Sequence, residues 1–480
     1  MQIKFKALDY TSDDSFVEAD YEYTGSLESG WEILRNEKPY LKVGPGYKLL
    51  KTKSCGVCST DIDRRFLPHP LPQIIGHEVL AESVGEVPTK QYVIEINDTY
   101  EARGDLKKDA FCEEGIPTHS PERKVLGIDR LPGGFGPYIL VPQNAAIETA
   151  GTSEKVAVLM EPFAAALQAI IASPPRDGDY VAVLGPRRLG SLILSALKAY
   201  RNSSQTNFRI AAIIRHDHLI SLAQKMGADE IVDLREVSAE SLKQKFDIVY
   251  DTTSTTSGFA SALDFAKREV HLKTTNGQVM GGLSHLTELV VDELSLLPAT
   301  LENLKFHWNK EDRRNKSIFI FPSVYAKWKD KIPNDIEIFT GSSDEAISIL
   351  NSEKFAGKVP RFDLVLVGSS AEVGVAIRPK PGEETSLVRP RSAILIDSDS
   401  ENEWSPESKS IRTFFHSGKM IRSSRCGDFH YALKLLKENP EVSKSLEENM
   451  VSHTFPFAKL TDAYAKAKDP SSVKVVVNFE

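Results

Sequence analysis

Tyr180-Val181-Ala182-Val183-Leu184-Gly185-Pro186-Arg187-Arg188-Leu189-Gly190 is the stretch on which the fold turns. A short apolar β run meets a glycine-bounded turn, and a helical stretch from Ser191 to Tyr200 follows. That order of strand, turn and helix is the context of a dinucleotide fingerprint. Arg209-Ile210-Ala211-Ala212-Ile213-Ile214 reads as a second strand. A helix ending near Met226-Gly227-Ala228 follows, then the runs Glu230-Ile231-Val232 and Phe246-Asp247-Ile248-Val249-Tyr250. Strands alternating with helices predict βαβ units and a doubly wound parallel sheet.

Upstream, residues 1–150 read as mostly β, with short mixed runs such as Tyr47-Lys48-Leu49-Leu50-Lys51-Thr52 broken by Gly and Pro. Gly133-Gly134-Phe135-Gly136-Pro137 reads as a turn feeding the strand Tyr138-Ile139-Leu140-Val141. Within this part lie Cys55-Gly56-Val57-Cys58-Ser59-Thr60-Asp61 and Gly76-His77-Glu78. They supply a thiolate, a hydroxyl, a carboxylate and an imidazole, the groups that hold a zinc ion and relay a proton. Glu161, at the start of the helical pattern Glu161-Pro162-Phe163-Ala164-Ala165-Ala166-Leu167, is a third candidate ligand. Thiolate, imidazole and carboxylate leave one position of a tetrahedral zinc open, as a catalytic site requires.

GVCSTD, IIGHE, the MEPFAAALQA helix start, VAVLGPRRLG and the closing SHTFPFAKLTDAYAKAKDPSSVKVVV, in this order, resemble the zinc-dependent medium-chain dehydrogenase/reductase family, its alcohol and polyol dehydrogenases in particular. The resemblance covers residues 40–283 and 418–480. It implies a GroES-like β-barrel catalytic domain over 1–165 and a Rossmann domain over 166–283. Residues 411–480 would end the Rossmann domain and return to the catalytic domain. It implies Cys58, His77 and Glu161 as zinc ligands, the Glu in place of a cysteine as in the polyol dehydrogenase branch. Thr60 would relay the alcohol proton, Asp61 would orient the ligating imidazole, and Glu78 would either pair with a neighbouring arginine or approach the metal transiently, without a permanent bond. Cys55 has no such counterpart and reads as structural. Many members hold a second, structural zinc on a four-cysteine lobe. Residues 101–122 carry only Cys112, so one zinc per chain is expected.

Each of these residues has a plainer reading. A lone cysteine is commonly a buried, inert side chain, and a lone histidine a satisfied core or surface residue. A glutamate at a helix start is favoured by the helix dipole alone. Thr60 would then be a turn threonine and Asp61 a surface carboxylate. The joint occurrence of the motifs favours the metal site.

In the glycine turn, Gly185 and Gly190 match the first and third fingerprint glycines, while Arg187 stands at the second. Gly185, Arg187, Arg188, Leu189 and Gly190 are the expected cofactor-binding set. Arg187 either contacts phosphate through its guanidinium fork or blocks the cofactor. The second strand ends in Ile213-Ile214-Arg215-His216, with no carboxylate where NAD binding favours one. Arg215 suits a 2′-phosphate, so NADP is favoured over NAD; its plainer reading is a solvated arginine.

Residues 284–410 lie outside the resemblance and read as an unusual insertion or an extended part of the Rossmann domain. Ile318-Phe319-Ile320-Phe321 and Ile336-Glu337-Ile338-Phe339 suggest strands, and Ser342 to Leu350 a capped helix. Phe362-Asp363-Leu364-Val365-Leu366-Val367-Gly368-Ser369-Ser370 echoes Phe246-Asp247-Ile248-Val249-Tyr250-Asp251-Thr252-Thr253-Ser254. The echo is either a partial internal repeat or the chance likeness of two buried strands. Ser398 to Ser410, acidic and Ser-rich, reads as an exposed loop.

The formal net charge of −8 argues against general nucleic-acid affinity. No apolar stretch approaches a membrane span, and the polar start is not expected to act as a signal peptide. Four cysteines in 480 residues make no disulfide framework, so a reducing, cytoplasmic setting is expected. The function expected is hydride transfer between a nicotinamide cofactor and a small alcohol or polyol, or the matching aldehyde or ketone, in a homo-oligomer such as the family's dimers and tetramers. The alternatives are a catalytically silent scaffold with a partner-binding insertion, and a biosynthetic reductase acting on a bulky substrate.

Overall fold

The computed structural model describes all residues except 106, 150, 309–315, 381–384, 400–403 and 480, and omits the side chains of 306–308. The chain forms two compact units. One comprises Met1–Cys112, Pro117–Ala165 and Gly427–Glu480; the other comprises Glu113–Ile116 and Ala166–Cys426. The boundary between Ala165 and Ala166 falls inside the helix Met160–Ala172.

The first unit is β-rich. Its N-terminal antiparallel sheet runs Gln2–Tyr10, Phe16–Ser26, Gly30–Arg35 and Lys38–Val43 in spatial order. Alternation along these strands puts Tyr10, Tyr21, Tyr23, Trp31 and Ile33 in the core and Lys and Glu outside. A seven-stranded sheet follows, centred on Tyr47–Gly56, which pairs with Glu78–Ser83, Tyr138–Pro142 and the C-terminal strand Lys474–Asn478. The chain end thus lies beside the Cys58 segment, with Val477 opposite Cys55.

The second unit is built on a sheet of eleven strands among the described residues. In chain order these are β1 (Tyr180–Leu184), β2 (Arg209–Ile214), β3 (Glu230–Asp233), β4 (Phe246–Asp251), β5 (Ala266–Leu272), β6 (Ser295–Pro298), β7 (Ser317–Ile320), β8 (Glu337–Phe339), β9 (Phe362–Val367), β10 (Val388–Ile396) and β11 (Met420–Ser423). Their spatial order is β3-β2-β1-β4-β5-β11-β6-β10-β9-β7-β8. The first six form the doubly wound Rossmann order, with its switch point between β1 and β4. β1, β9 and most of β2 and β4 are buried, which is why they read as unbroken apolar runs rather than alternating ones.

Residues 284–410 contribute β6 to β10 to this same sheet. The helix Ser343–Leu350 is capped as its sequence suggests. Ser342 Oγ accepts from Glu345 N at 3.3 Å, and Glu345 Oε2 accepts from Ser342 N at 2.7 Å. The stretch 398–410 differs from a plain exposed loop. Residues 400–403 lie outside the described residues, but Pro406–Ser408 forms a 3₁₀ turn that leads into the helix Lys409–His416. Ser408 is fully buried there, its hydroxyl 2.7 Å from that of Ser370. Composition signalled polarity at this point but not these paired hydroxyls. No helix among the described residues is long and apolar enough to cross a membrane.

Candidate active site

Cys58 caps the short helix Ser59–Ile62. Asp61, buried in that helix, holds the loop together. Its Oδ2 accepts from Cys58 N at 2.8 Å, and its Oδ1 accepts from Gly76 N at 3.1 Å. The same Oδ1 faces His77 Nδ1 at 3.3 Å. One carboxylate therefore ties the cysteine segment to the histidine segment and lies beside the imidazole, whose Nδ1 makes no hydrogen bond to it in this geometry. Gly76 has φ +95°, and a Cβ there would stand 2.9 Å from both Cys55 Sγ and the Phe135 ring. Only glycine makes this turn, and the turn sends His77 inward.

His77 is buried. Burial pulls its pKa down, but the charges of Asp61 and Cys58 outweigh burial and hold the imidazole well above its ordinary value. Cys58 is half-buried, and its Sγ lies 3.7 Å from Thr60 Oγ1. Cys55 is fully buried, its thiol pKa pushed well up by burial.

Glu78 goes elsewhere. It is fully buried, and both its carboxylate oxygens lie 2.6 Å from Lys474 Nζ. Nothing in Lys474-Val475-Val476-Val477 marks this lysine as buried, because a strand lysine ordinarily faces water. Tyr464, on the helix Leu460–Lys468, places its hydroxyl 3.1 Å from the carbonyls of Asp61 and Ile62 and so buttresses the short helix. Sequence reasoning missed both residues, since both contacts join positions some four hundred residues apart.

Glu161 occupies the first turn of its helix and is partly exposed. Cys58, Thr60, Asp61 and His77 are brought together, whereas no group of three His, Cys, Asp or Glu side chains placed to hold a metal ion occurs among the described residues. The donor chemistry fits zinc at two positions: a thiol, and an imidazole with a carboxylate 3.3 Å from one ring nitrogen. The third position needs Glu161 to join them.

In the second unit, Gly185 has φ +80° and begins the turn after β1. Arg187 N donates to Gly185 O at 2.7 Å, and the helix Arg188–Ser204 starts immediately afterwards. A Cβ on Gly190 would stand 2.8 Å from both Gly185 O and Thr252 Oγ1, so this glycine lets helix and turn close on the end of β4. Arg187, Arg188 and Leu189 are each partly exposed at the helix start. Arg215 is exposed beyond β2. Nearby, Arg235 Nε donates to Asp233 at 2.9 Å, and the guanidinium also pairs with Asp217.

No family model matches the chain. It is similar to a sorbitol dehydrogenase of Halalkalibacterium halodurans, with 28% identity over 338 residues, covering 65% of this chain and 94% of the relative. It is also similar to an L-threonine 3-dehydrogenase of Rhizobium etli, with 24% identity over 245 residues, 47% of this chain and 68% of the relative. A solved structure from Sinorhizobium meliloti, assigned as a zinc-binding dehydrogenase and bound to NADP, shares the fold, with a TM-score of 0.52, 15% identity and 99% of each chain covered. The first unit is thus a GroES-like domain and the second a Rossmann domain. In sequence the chain is similar to curated polyol and threonine dehydrogenases, and it shares its fold with solved alcohol dehydrogenase-like structures.

Proposed function

We propose that this chain is a zinc-dependent oxidoreductase that transfers hydride between NADP or NAD and an alcohol or polyol, or the corresponding aldehyde or ketone. The observation that carries this reading is the Asp61 carboxylate, which binds the cysteine loop and faces His77 at 3.3 Å. A structural loop has no need of a buried carboxylate aimed at a buried imidazole beside a thiol. Cys58 and His77 supply two donors, and Glu161 is assigned as the third. A zinc ion held there would act as a Lewis acid on the substrate oxygen. Asp61 favours the proton on Nδ1 of His77, which leaves Nε2 as the donor atom. Thr60 takes the hydroxyl proton of the substrate and passes it outward. Glu78, neutralised by Lys474, holds the strand behind the site.

Gly185, Arg187, Arg188, Leu189 and Gly190 are assigned to the cofactor pyrophosphate at the helix start. Arg215 is assigned to a 2′-phosphate, which favours NADP; the Sinorhizobium neighbour binds NADP. The reading includes a small-molecule substrate and a cytoplasmic setting.

Two observations favour the silent scaffold as a second reading: Arg187 at a fingerprint glycine, and the lack of a three-donor cluster among the described residues. Metal analysis of the purified chain, with fluorescence titration by NADPH and NADH, separates the two. About one zinc per chain with tighter binding of NADPH supports the dehydrogenase. No zinc and no binding of either nucleotide selects the scaffold. A substrate panel from small polyols to bulky alcohols then distinguishes the small-substrate enzyme from a biosynthetic reductase.

A further inference from the structure

From β2 at one end and β8 at the other, the eleven-stranded sheet matches itself inward, while β3 has no counterpart among the described residues. β1 lies between β2 and β4, and β7 lies between β8 and β9, all parallel. Val181 pairs with Ile248 and Ala182 with Val249; Ile318 pairs with Leu364 and Phe319 with Val365. This register superposes Tyr180 on Ser317 and Asp247 on Asp363. The two aspartates then do the same job: Asp247 Oδ2 accepts from Tyr180 N at 2.8 Å, and Asp363 Oδ2 accepts from Ser317 N at 3.0 Å. The next pairings also break at the same place, between Phe246 and Ile248 against β5 and between Phe362 and Leu364 against β10. Independent strands have no reason to share a register, a carboxylate bond and a bulge.

The match extends to the centre of the sheet. Val270 of β5 pairs with Ile421 of β11, and Ile394 of β10 pairs with Leu296 of β6. Ile421 and Leu296 are therefore equivalent, and they are the antiparallel partners where the halves meet. A residue facing its own equivalent is the mark of a twofold axis. The chain crosses that axis twice. β6 follows β5 in sequence but lies beside β10, and β11 follows β10 but lies beside β5. The helices Leu286–Val291 and Lys409–His416 precede these two strands at the same spacing.

The second half lacks the phosphate turn. Pro322 stands where Gly185 stands in the first half, and the helix Pro322–Trp328 begins at once. At its switch point between β7 and β9, Glu372 Oε2 accepts from Gly368 N at 2.7 Å and from Ser323 Oγ at 2.9 Å. The chain's own carboxylate occupies the donors that a phosphate would use.

We infer that β6 to β10, within residues 295–396, form a second, nucleotide-free copy of the Rossmann half, that the two halves exchange their sixth strands β6 and β11, and that this copy covers the β11 edge that would otherwise be open to another chain. This intrachain partner also holds the loop leaving β5. A Cβ at Gly282 would stand 2.0 Å from Ser408 Oγ, and one at Gly374 would stand 2.4 Å from Ser284 Oγ, so the loop packs directly on the copy. Any homo-oligomer must form through another surface. The statement that the first half binds the nucleotide rests on the proposed function; the pairing of the halves does not.

The double variant Leu296→Cys/Ile421→Cys tests the pairing, since directly opposed antiparallel positions lie within disulfide reach. Mild oxidation should join positions 296 and 421 within one chain, seen by peptide mapping at unchanged chain mass. A disulfide-linked dimer through these positions overturns the inference. Hydrogen exchange on the unaltered chain covers the case in which the variant does not fold. Protection of the β6 and β11 amides should not change on dilution, and protection lost on dilution overturns the inference. Equilibrium dialysis with NADPH should find one site per chain, and a second site refutes the nucleotide-free copy. No NADPH binding at all counts against the proposed function and leaves the disulfide and exchange results to decide the pairing.

Discussion

Replacing Lys474 with Met tests how the first unit holds its site. Lys474 Nζ lies 2.6 Å from both oxygens of Glu78, and the two side chains are 3% and 0% exposed. In Lys474→Met the Glu78 carboxylate stays buried without its cation. Breaking one side of a buried ion pair costs about 3–5 kcal/mol. Replacing both partners by apolar side chains of similar volume removes the desolvation problem along with the attraction, and commonly lands near neutral. Glu78→Met/Lys474→Met should therefore recover most of the loss, to within about 1–2 kcal/mol of the unaltered chain. Urea denaturation followed by fluorescence, with the slope checked for constancy, gives all four corners of the cycle. The same preparations report zinc content, because the pair sits behind Cys58 and His77. If the double variant is as unstable as the sum of the singles, or if Lys474→Met costs under about 1 kcal/mol, the account of a buried, mutually dependent pair is wrong.

Asp61→Asn keeps the shape but weakens the brace on His77, so zinc affinity should fall about 10–100-fold in a chelator competition; unchanged affinity would detach Asp61 from the metal site. Gly190→Val forces a Cβ to within 2.8 Å of Gly185 O and Thr252 Oγ1, which should cost about 1–3 kcal/mol and abolish NADPH binding; retained binding would place the cofactor elsewhere. Asp251, at the end of β4, has its pKa raised from 3.8 to about 6, chiefly by burial and against the opposing bonds from Thr253. The folded state therefore holds this proton more tightly than the unfolded chain, and the stability it contributes is complete below pH 3.8 and lost as pH rises through about 6. That difference amounts to about 3 kcal/mol. The stability of Asp251→Asn relative to the unaltered chain should rise across this window and level off above it, whereas a flat difference would show that Asp251 does not titrate there.

Much of the architecture was legible because it is local. Val, Ile and Ala runs buried on both faces announce parallel strands, and β1 and β4 begin where their apolar runs begin. The cap of the helix Ser343–Leu350 could be read from Ser342 and Glu345, because a capping box closes within four residues. Gly185 and Gly190 announced the tight turn between β1 and the helix that follows it. The echo of Phe246–Ser254 in Phe362–Ser370 was visible too, but two apolar strands resemble each other by composition alone.

Tertiary structure decided what depends on partners distant in the chain. Whether Glu78 approaches a metal or pairs with a cation turns on Lys474, which a parallel pairing of the last two strands delivers to the core. Whether the echo is a repeat turns on Asp247 and Asp363 meeting equivalent strand starts, and on Leu296 lying opposite Ile421. Sequence by itself determined the kinds of donor and turn this chain carries, since side-chain chemistry and backbone preference are local. Which donors meet, and which sheet edge they serve, is set by strand pairing over hundreds of residues, where burial and register rather than local propensity select the partner.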